Sequence, residues 1–262
     1  MKTRILILTL LVALASCKNK YQKLLKGSDY NAKYEAAIQY FNEEDYYKSQ
    51  TLLESVAGVY RGTDRAENIN YYLAYCCFHQ SEYIMSGYYF ETFTTTFANS
   101  PKAAECQFKA GESYRNESPK PSLDQEYTIK AIEAFQIYIN KYPKGDQITQ
   151  ANAEIESLRK KLEAKEFENA KLYNKVGDYK AAVIALKNCM KDFPDTEHHE
   201  ELQYLIVESS YELAVNSVEL KKYERYESAV DEHYAYIDQY PNGKYAKKSE
   251  KIFEDCMKYL KK

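Results

Sequence analysis

The chain has no tryptophan, only eight glycines, six prolines and four histidines, and its one long apolar run, Ile5 to Leu14, is confined to the N-terminus. Each scarcity closes a functional class. The glycines never form G-x-G-x-x-G, a Walker sequence or a G-x-S-x-G elbow, so glycine-loop nucleotide binding and serine-hydrolase chemistry have no seat. His198 and His199 are neighbours whose side chains would leave a helix on different faces, and the spacing offers no third metal ligand; Thr196 as a helix N-cap with His199 in the first turn explains them better. The six cysteines show no redox or zinc spacing: Cys76 and Cys77 diverge on a helix, Cys106, Cys189 and Cys256 stand alone, and all five read as small buried hydrophobes. A formal net charge of −3 supplies no positive footprint for nucleic acid. No catalytic group, cofactor or metal is expected, and the abundant carboxylates read as solvated helix faces.

What the chain has in excess is tyrosine, 28 copies, whose rings suit helix seams and binding surfaces alike. Many belong to a unit that recurs five times. With origins at Tyr46, Tyr83, Thr128, Tyr179 and Tyr226, the position three residues on is small each time (Ser49, Ser86, Ala131, Ala182, Ala229). Seven residues on stand Leu53, Phe90, Phe135, Leu186 and His233, and fourteen on stand Tyr60, Phe97, Tyr142, Phe193 and Tyr240, the last three followed by Pro143, Pro194 and Pro241. Those offsets share one face of a helix, and proline just past its end stops it. The pattern resembles the tetratricopeptide repeat, in lengthened form. The expected fold is all-α: a right-handed α-solenoid of about five tetratricopeptide-like helix pairs, closed by a capping helix from Lys244 to Leu260. A long polar helix over Thr149 to Lys175 reads as a spacer between halves.

Residues 1–16 read as an export signal: Lys2 and Arg4, then an apolar run well short of the ~20 residues that cross a bilayer. Leu14-Ala15-Ser16-Cys17 resembles the lipobox of bacterial lipoproteins, in which the cysteine is acylated with fatty acids such as palmitate and becomes the mature N-terminus. Residues 17–29 then form a lipidated tether carrying Lys18, Lys20, Lys23 and Lys26, which favours contact with anionic headgroups. The acidic cluster associated with surface export in some lipoproteins is missing after Cys17, which points to the periplasmic face of the outer membrane.

The first helix of each pair in such solenoids lines the inner face. Counting back from the origins puts Tyr34, Ile38 and Phe41, then Tyr71, Tyr75 and Phe78 with His79, on that lining as a candidate peptide-binding trough. Close-packing slots in the same stretch go to Leu73, Ala74 and Cys77, which leaves the Tyr71, Tyr75, Phe78 stripe without an evident intramolecular role.

Lipobox, tether and five repeats in that order resemble the BamD family, lipoproteins of the outer-membrane β-barrel assembly machine, over essentially the whole of residues 17–262. The Leu123-Asp124-Gln125 approach to Thr128 and the Tyr142-Pro143 and Phe193-Pro194 helix ends add to the likeness. The chain departs from the pattern at Arg61 and Ala98, where proline would follow the first two repeats, and in having no glycine before Tyr46 or Tyr226 to match Gly177. The resemblance implies a scaffold without enzymatic activity. Residues 30–145, repeats 1–3, would be the half whose groove engages unfolded outer-membrane protein clients; residues 146–262, repeats 4–5 and the cap, would dock the periplasmic domains of the insertase BamA. The competing assignment is another lipid-anchored repeat adaptor, such as a secretin pilotin or a cell-wall-associated factor. A surface nutrient-binding lipoprotein would need a much longer chain with a substrate insertion.

Overall fold

The computed structural model describes residues 20–261; the export signal, Cys17 and the start of the tether lie outside them. All regular structure among the described residues is helical. After α1 (residues 20–26) come α2 (Tyr30–Asn42), α3 (Tyr46–Ala57), α4 (Asp64–His79), α5 (Tyr83–Thr96), α6 (Ala103–Glu117), α7 (Glu126–Lys141), α8 (Ile148–Lys175), α9 (Tyr179–Asp192), α10 (His199–Val215), α11 (Glu219–Gln239) and α12 (Ala246–Leu260). None is long and apolar enough to cross a membrane.

The repeat register is visible in burial. Ser49, Ser86, Ala131, Ala182 and Ala229 are all fully buried, and so are Leu53, Phe90, Phe135 and Leu186. The fourteenth slot ends the helix: Phe97, Tyr142, Phe193 and Tyr240 are the C-cap residues of α5, α7, α9 and α11, with φ of −119°, −126°, −129° and −130°. Each donates its N–H to the carbonyl four residues back, so the last turn closes before the chain swings away. At the other end Asp45 and Asp178 cap α3 and α9, accepting from the N–H of Lys48 and Ala181 at 3.3 and 3.2 Å.

The tight turns inside the pairs explain the missing glycines. Gly177 has φ +83°, and the equivalent positions two residues before the origins, Glu44 and Ser81, take the same left-handed backbone at φ 60° and 61°. A non-glycine residue there costs roughly 1–2 kcal/mol, which the packing on either side tolerates. The fifth pair differs. Its second helix begins at Glu219, two turns ahead of Tyr226, so no turn is needed at Glu224.

Among the described residues two compact units result: 20–119 together with 124–158, and 120–123 together with 159–261. In the first, each helix from α2 to α7 packs on the next; in the second, α9 packs on α10, α10 on α11, and α11 on the capping α12. This is an α-solenoid of helix pairs. The helix expected as a spacer between halves is shared by the two units: α8 buries Ala151 and Leu158 in the first and Phe167 and Ala170 in the second. Cys76, Cys77, Cys106, Cys189 and Cys256 are all buried, and burial pushes their thiols up to about 11–12. His198 stacks on Phe167 at 4.2 Å, while His199 Nδ1 lies 2.9 Å from the Tyr240 hydroxyl. The helix starts at His199, with Thr196 Oγ1 accepting from the His198 N–H at 3.1 Å instead of serving as the N-cap itself.

His233, the polar member of the seventh-slot series, ties the cap to α11. Its Nδ1 is 2.8 Å from Ser249 Oγ, its ring stacks on Phe253 at 4.7 Å, and the Glu250 carboxylate is 3.6 Å from Nε2. Burial lowers its pKa from 6.5, against a smaller raising effect of Glu250. The unfolded chain therefore takes up a proton first, so stability is complete above pH ~6.5 and falls as pH drops below it. His233→Gln is expected to show a smaller fall in melting temperature between about pH 7.5 and 5.5 than the parent. Equal falls would show that His233 is not the titrating group.

Candidate functional site

Helix α4 has Asp64 and Glu67 in its first turn, where carboxylates suit the positive end of the helix dipole, and Tyr71, Tyr75 and Phe78 then recur along one stripe. The backs of these half-buried rings rest on α5. Tyr75 meets the buried Phe90 edge-on at 5.0 Å, Tyr71 meets Phe93 at 6.1 Å, and Phe78 meets Tyr83 at 5.7 Å. Tyr71 and Tyr75 also tilt against each other at 4.8 Å.

Their hydroxyls do have an intramolecular partner. Both donate to Glu105 Oε1 on α6, Tyr71 at 3.0 Å and Tyr75 at shorter range. Burial first, and Glu105 second, push both phenols well above their ordinary range, so they remain donors at any physiological pH. Lys102 Nζ lies 4.4 Å over the Tyr71 ring and 2.8 Å from Asn68 Oδ1; Lys109 Nζ lies 4.9 Å over Phe78 and pairs with Glu112 at 2.6 Å. One carboxylate and two ammonium groups thus edge an aromatic stripe, a mixture that can hold apolar side chains and polar backbone together.

The three α2 residues form a separate group. Tyr34 is buried against Tyr60 at 6.0 Å and under the Arg65 guanidinium at 4.7 Å. Ile38 packs into the core shared by α2 and α3, and Phe41 contacts Tyr72 at 4.7 Å and Tyr46 at 5.4 Å. Tyr72, which sequence reasoning passed over, bridges the two groups, since it also meets Tyr71 at 5.6 Å. His79 is exposed and stacks on Tyr46 at 4.4 Å.

Glu105 and Lys102 were also missed, although a signal existed. Glu105 follows Tyr71 by 34 residues, Lys102 follows Asn68 by 34, and Arg65 follows its partner Asn31 by 34. First helices meet their successors at the unlengthened repeat interval, even where second helices are spaced further apart.

Against known proteins, the chain is 22% identical over 178 residues to a protein of Aquifex aeolicus (strain VF5) that bears the provisional name outer membrane protein assembly factor BamD. The aligned stretch is 67% of this chain and 58% of that protein, so the chain spans less than two thirds of the relative's length. Among solved structures, the TPR2AB-domain:pHSP90-complex of yeast Sti1 aligns with 88% of this chain and 100% of its own at 12% identity and a TM-score of 0.40. The profile of the YfiO family, described as outer membrane lipoprotein, matches residues 27–225, most of the described helices, and on that match the chain belongs to the YfiO outer membrane lipoprotein family.

Proposed function

We propose that the chain is a lipid-anchored scaffold of outer-membrane β-barrel protein assembly, held at the periplasmic face of the outer membrane, that binds a BamA-type insertase and engages unfolded barrel clients. The observation that carries it is the family match over residues 27–225 on a chain of stacked helix pairs. Such a fold offers surfaces, and on this reading its work is the holding of partners.

The two surfaces differ in kind. The α4 stripe suits a client rich in aromatic residues, because ring pairs add ~0.5–1.5 kcal/mol each beyond buried area. The second unit is proposed to meet a folded partner; it exposes Leu172 and Val176 around the end of α8 (55% and 66%) and Val218 and Leu220 around the start of α11 (68% and 93%).

Attachment is tested by Cys17→Ser, which is expected to abolish labelling by a fatty-acid probe and move the chain from the membrane pellet to the soluble fraction. Unchanged labelling would remove the anchor. The assembly function is tested by depleting the chain from its own cells and measuring folded barrel proteins in the outer membrane. Their loss is expected; undiminished barrels would overturn the proposal.

A further inference from the structure

Wholly inside the second unit, residues 120–122, the C-terminal half of α8 and Leu205 of α10 enclose a cleft of about 830 Å³, within the range of ligand sites. Pro121, Ala164, Leu172 and Leu205 supply its apolar wall. Lys165, Glu168, Leu172 and Lys175 follow one another at helical intervals of three and four, so a single face of α8 brings leucine and charged groups to the cleft together. The walls are tied. Lys165 Nζ donates to the Leu123 carbonyl at 2.6 Å, and Asn174 Nδ2 donates to Ser209 Oγ on α10 at 2.8 Å.

Charge in the lining is one-sided: Lys120, Lys165, Lys171 and Lys175 stand against one carboxylate, Glu168. Lys171 is balanced from outside the cleft by Glu201 at 3.0 Å. Lys165 is half-buried with a neutral carbonyl as its partner and Lys175 is exposed, and neither enters an ion pair among the described residues. An ammonium held by a carbonyl keeps its whole charge, so a carboxylate brought beside it makes the stronger, charge-assisted bond.

We propose that this cleft holds an extended acidic segment of another protein, with two carboxylates four residues apart meeting Lys165 and Lys175 and an apolar side chain between them meeting Leu172 and Leu205. The spacing fits. Lys165 and Lys175 are ten residues apart, ~15 Å along α8, and side chains four residues apart on one face of an extended chain lie ~13 Å apart. Glu168, Asn169 and Ser122 favour peptide over anionic lipid, because a carboxylate, an amide and a hydroxyl can pair with main-chain N–H and C=O groups, whereas a lipid phosphate would meet Glu168 with like charge. The chain's own residues 1–19 are excluded by charge, since they carry Lys2, Arg4 and Lys18 and no acidic residue. This binding chemistry does not depend on the assembly role proposed above.

The test uses residues 17–262 carrying Cys17→Ser and the capped peptide Gly-Asp-Ser-Leu-Ser-Asp-Gly in titration calorimetry. Saturable binding at one site is expected, with peptides that replace both aspartates by asparagine, or the leucine by serine, bound at least about fivefold more weakly. Lys165→Gln with Lys175→Gln should weaken binding roughly fivefold or more and move the melting temperature by less than about 2 °C. Lys247→Gln with Lys251→Gln, exposed positions on α12, should bind as the parent does and so separates the cleft from general attraction to lysine. The proposal falls if no saturable binding is seen, if the cleft pair binds as the parent does or the α12 pair loses as much, or if the asparagine peptide matches the acidic one. It falls equally if dioctanoylphosphatidylglycerol below its micelle concentration binds more tightly than the peptide, or if sedimentation shows a dimer that Leu172→Ser abolishes, since lipid or a second copy would then be the occupant.

Discussion

Replacing Phe135 with alanine is expected to destabilise the protein by about 3–5 kcal/mol, the range for removing a fully buried aromatic ring. Phe135 is the seventh-slot residue of α7, has no exposed surface, and packs against Phe108 at 5.3 Å. Its ring lies over Gly111 of α6, where an added Cβ would come within 2.6 Å of the ring carbons. Glycine and ring are therefore fitted to each other, and neither wall can collapse into the space left by alanine. For domains of this size ~1 kcal/mol moves the melting temperature by ~2–4 °C, so a fall of roughly 6–20 °C should be seen by circular dichroism. A fall below ~2 °C would mean that α6 and α7 do not meet through these slots.

The second large effect concerns Tyr71 and Tyr75. Changing both to alanine removes two half-buried rings from α4 and leaves Glu105 without two donors, so loss of stability and loss of client binding are both expected. Tyr71→Phe with Tyr75→Phe separates them, because it keeps the rings and removes only the hydroxyls. With a peptide from the C-terminal strand of an outer-membrane barrel, the alanine pair is expected to bind at least about tenfold more weakly at a temperature where it is still folded, and the phenylalanine pair within about threefold of the parent. If the folded alanine pair bound the peptide as the parent does, the stripe would be core and nothing more.

The repeat register was legible because small and large residues alternate with a helical period, and period is a property of sequence. Hence Ala182 and Leu186 could be placed before any coordinate, and the structure buries both completely. The turns were less legible: Glu44 and Ser81 adopt the left-handed backbone of Gly177, which neither residue type announces. Helix α8 reads as a long polar spacer between halves because its buried residues, Ala151, Leu158, Phe167 and Ala170, are spread thinly along it and serve two cores. The aromatic stripe on α4 was visible as a pattern, but its partner Glu105 lies on another helix, and contacts between helices are written in the repeat interval, not in local spacing.

Purification of the native chain from its cells in a mild detergent, with mass spectrometry of whatever accompanies it, tests the scaffold function most directly. A BamA-type barrel insertase in roughly equal amount is the predicted companion; a secretin in its place, or a chain that comes down alone, would contradict it.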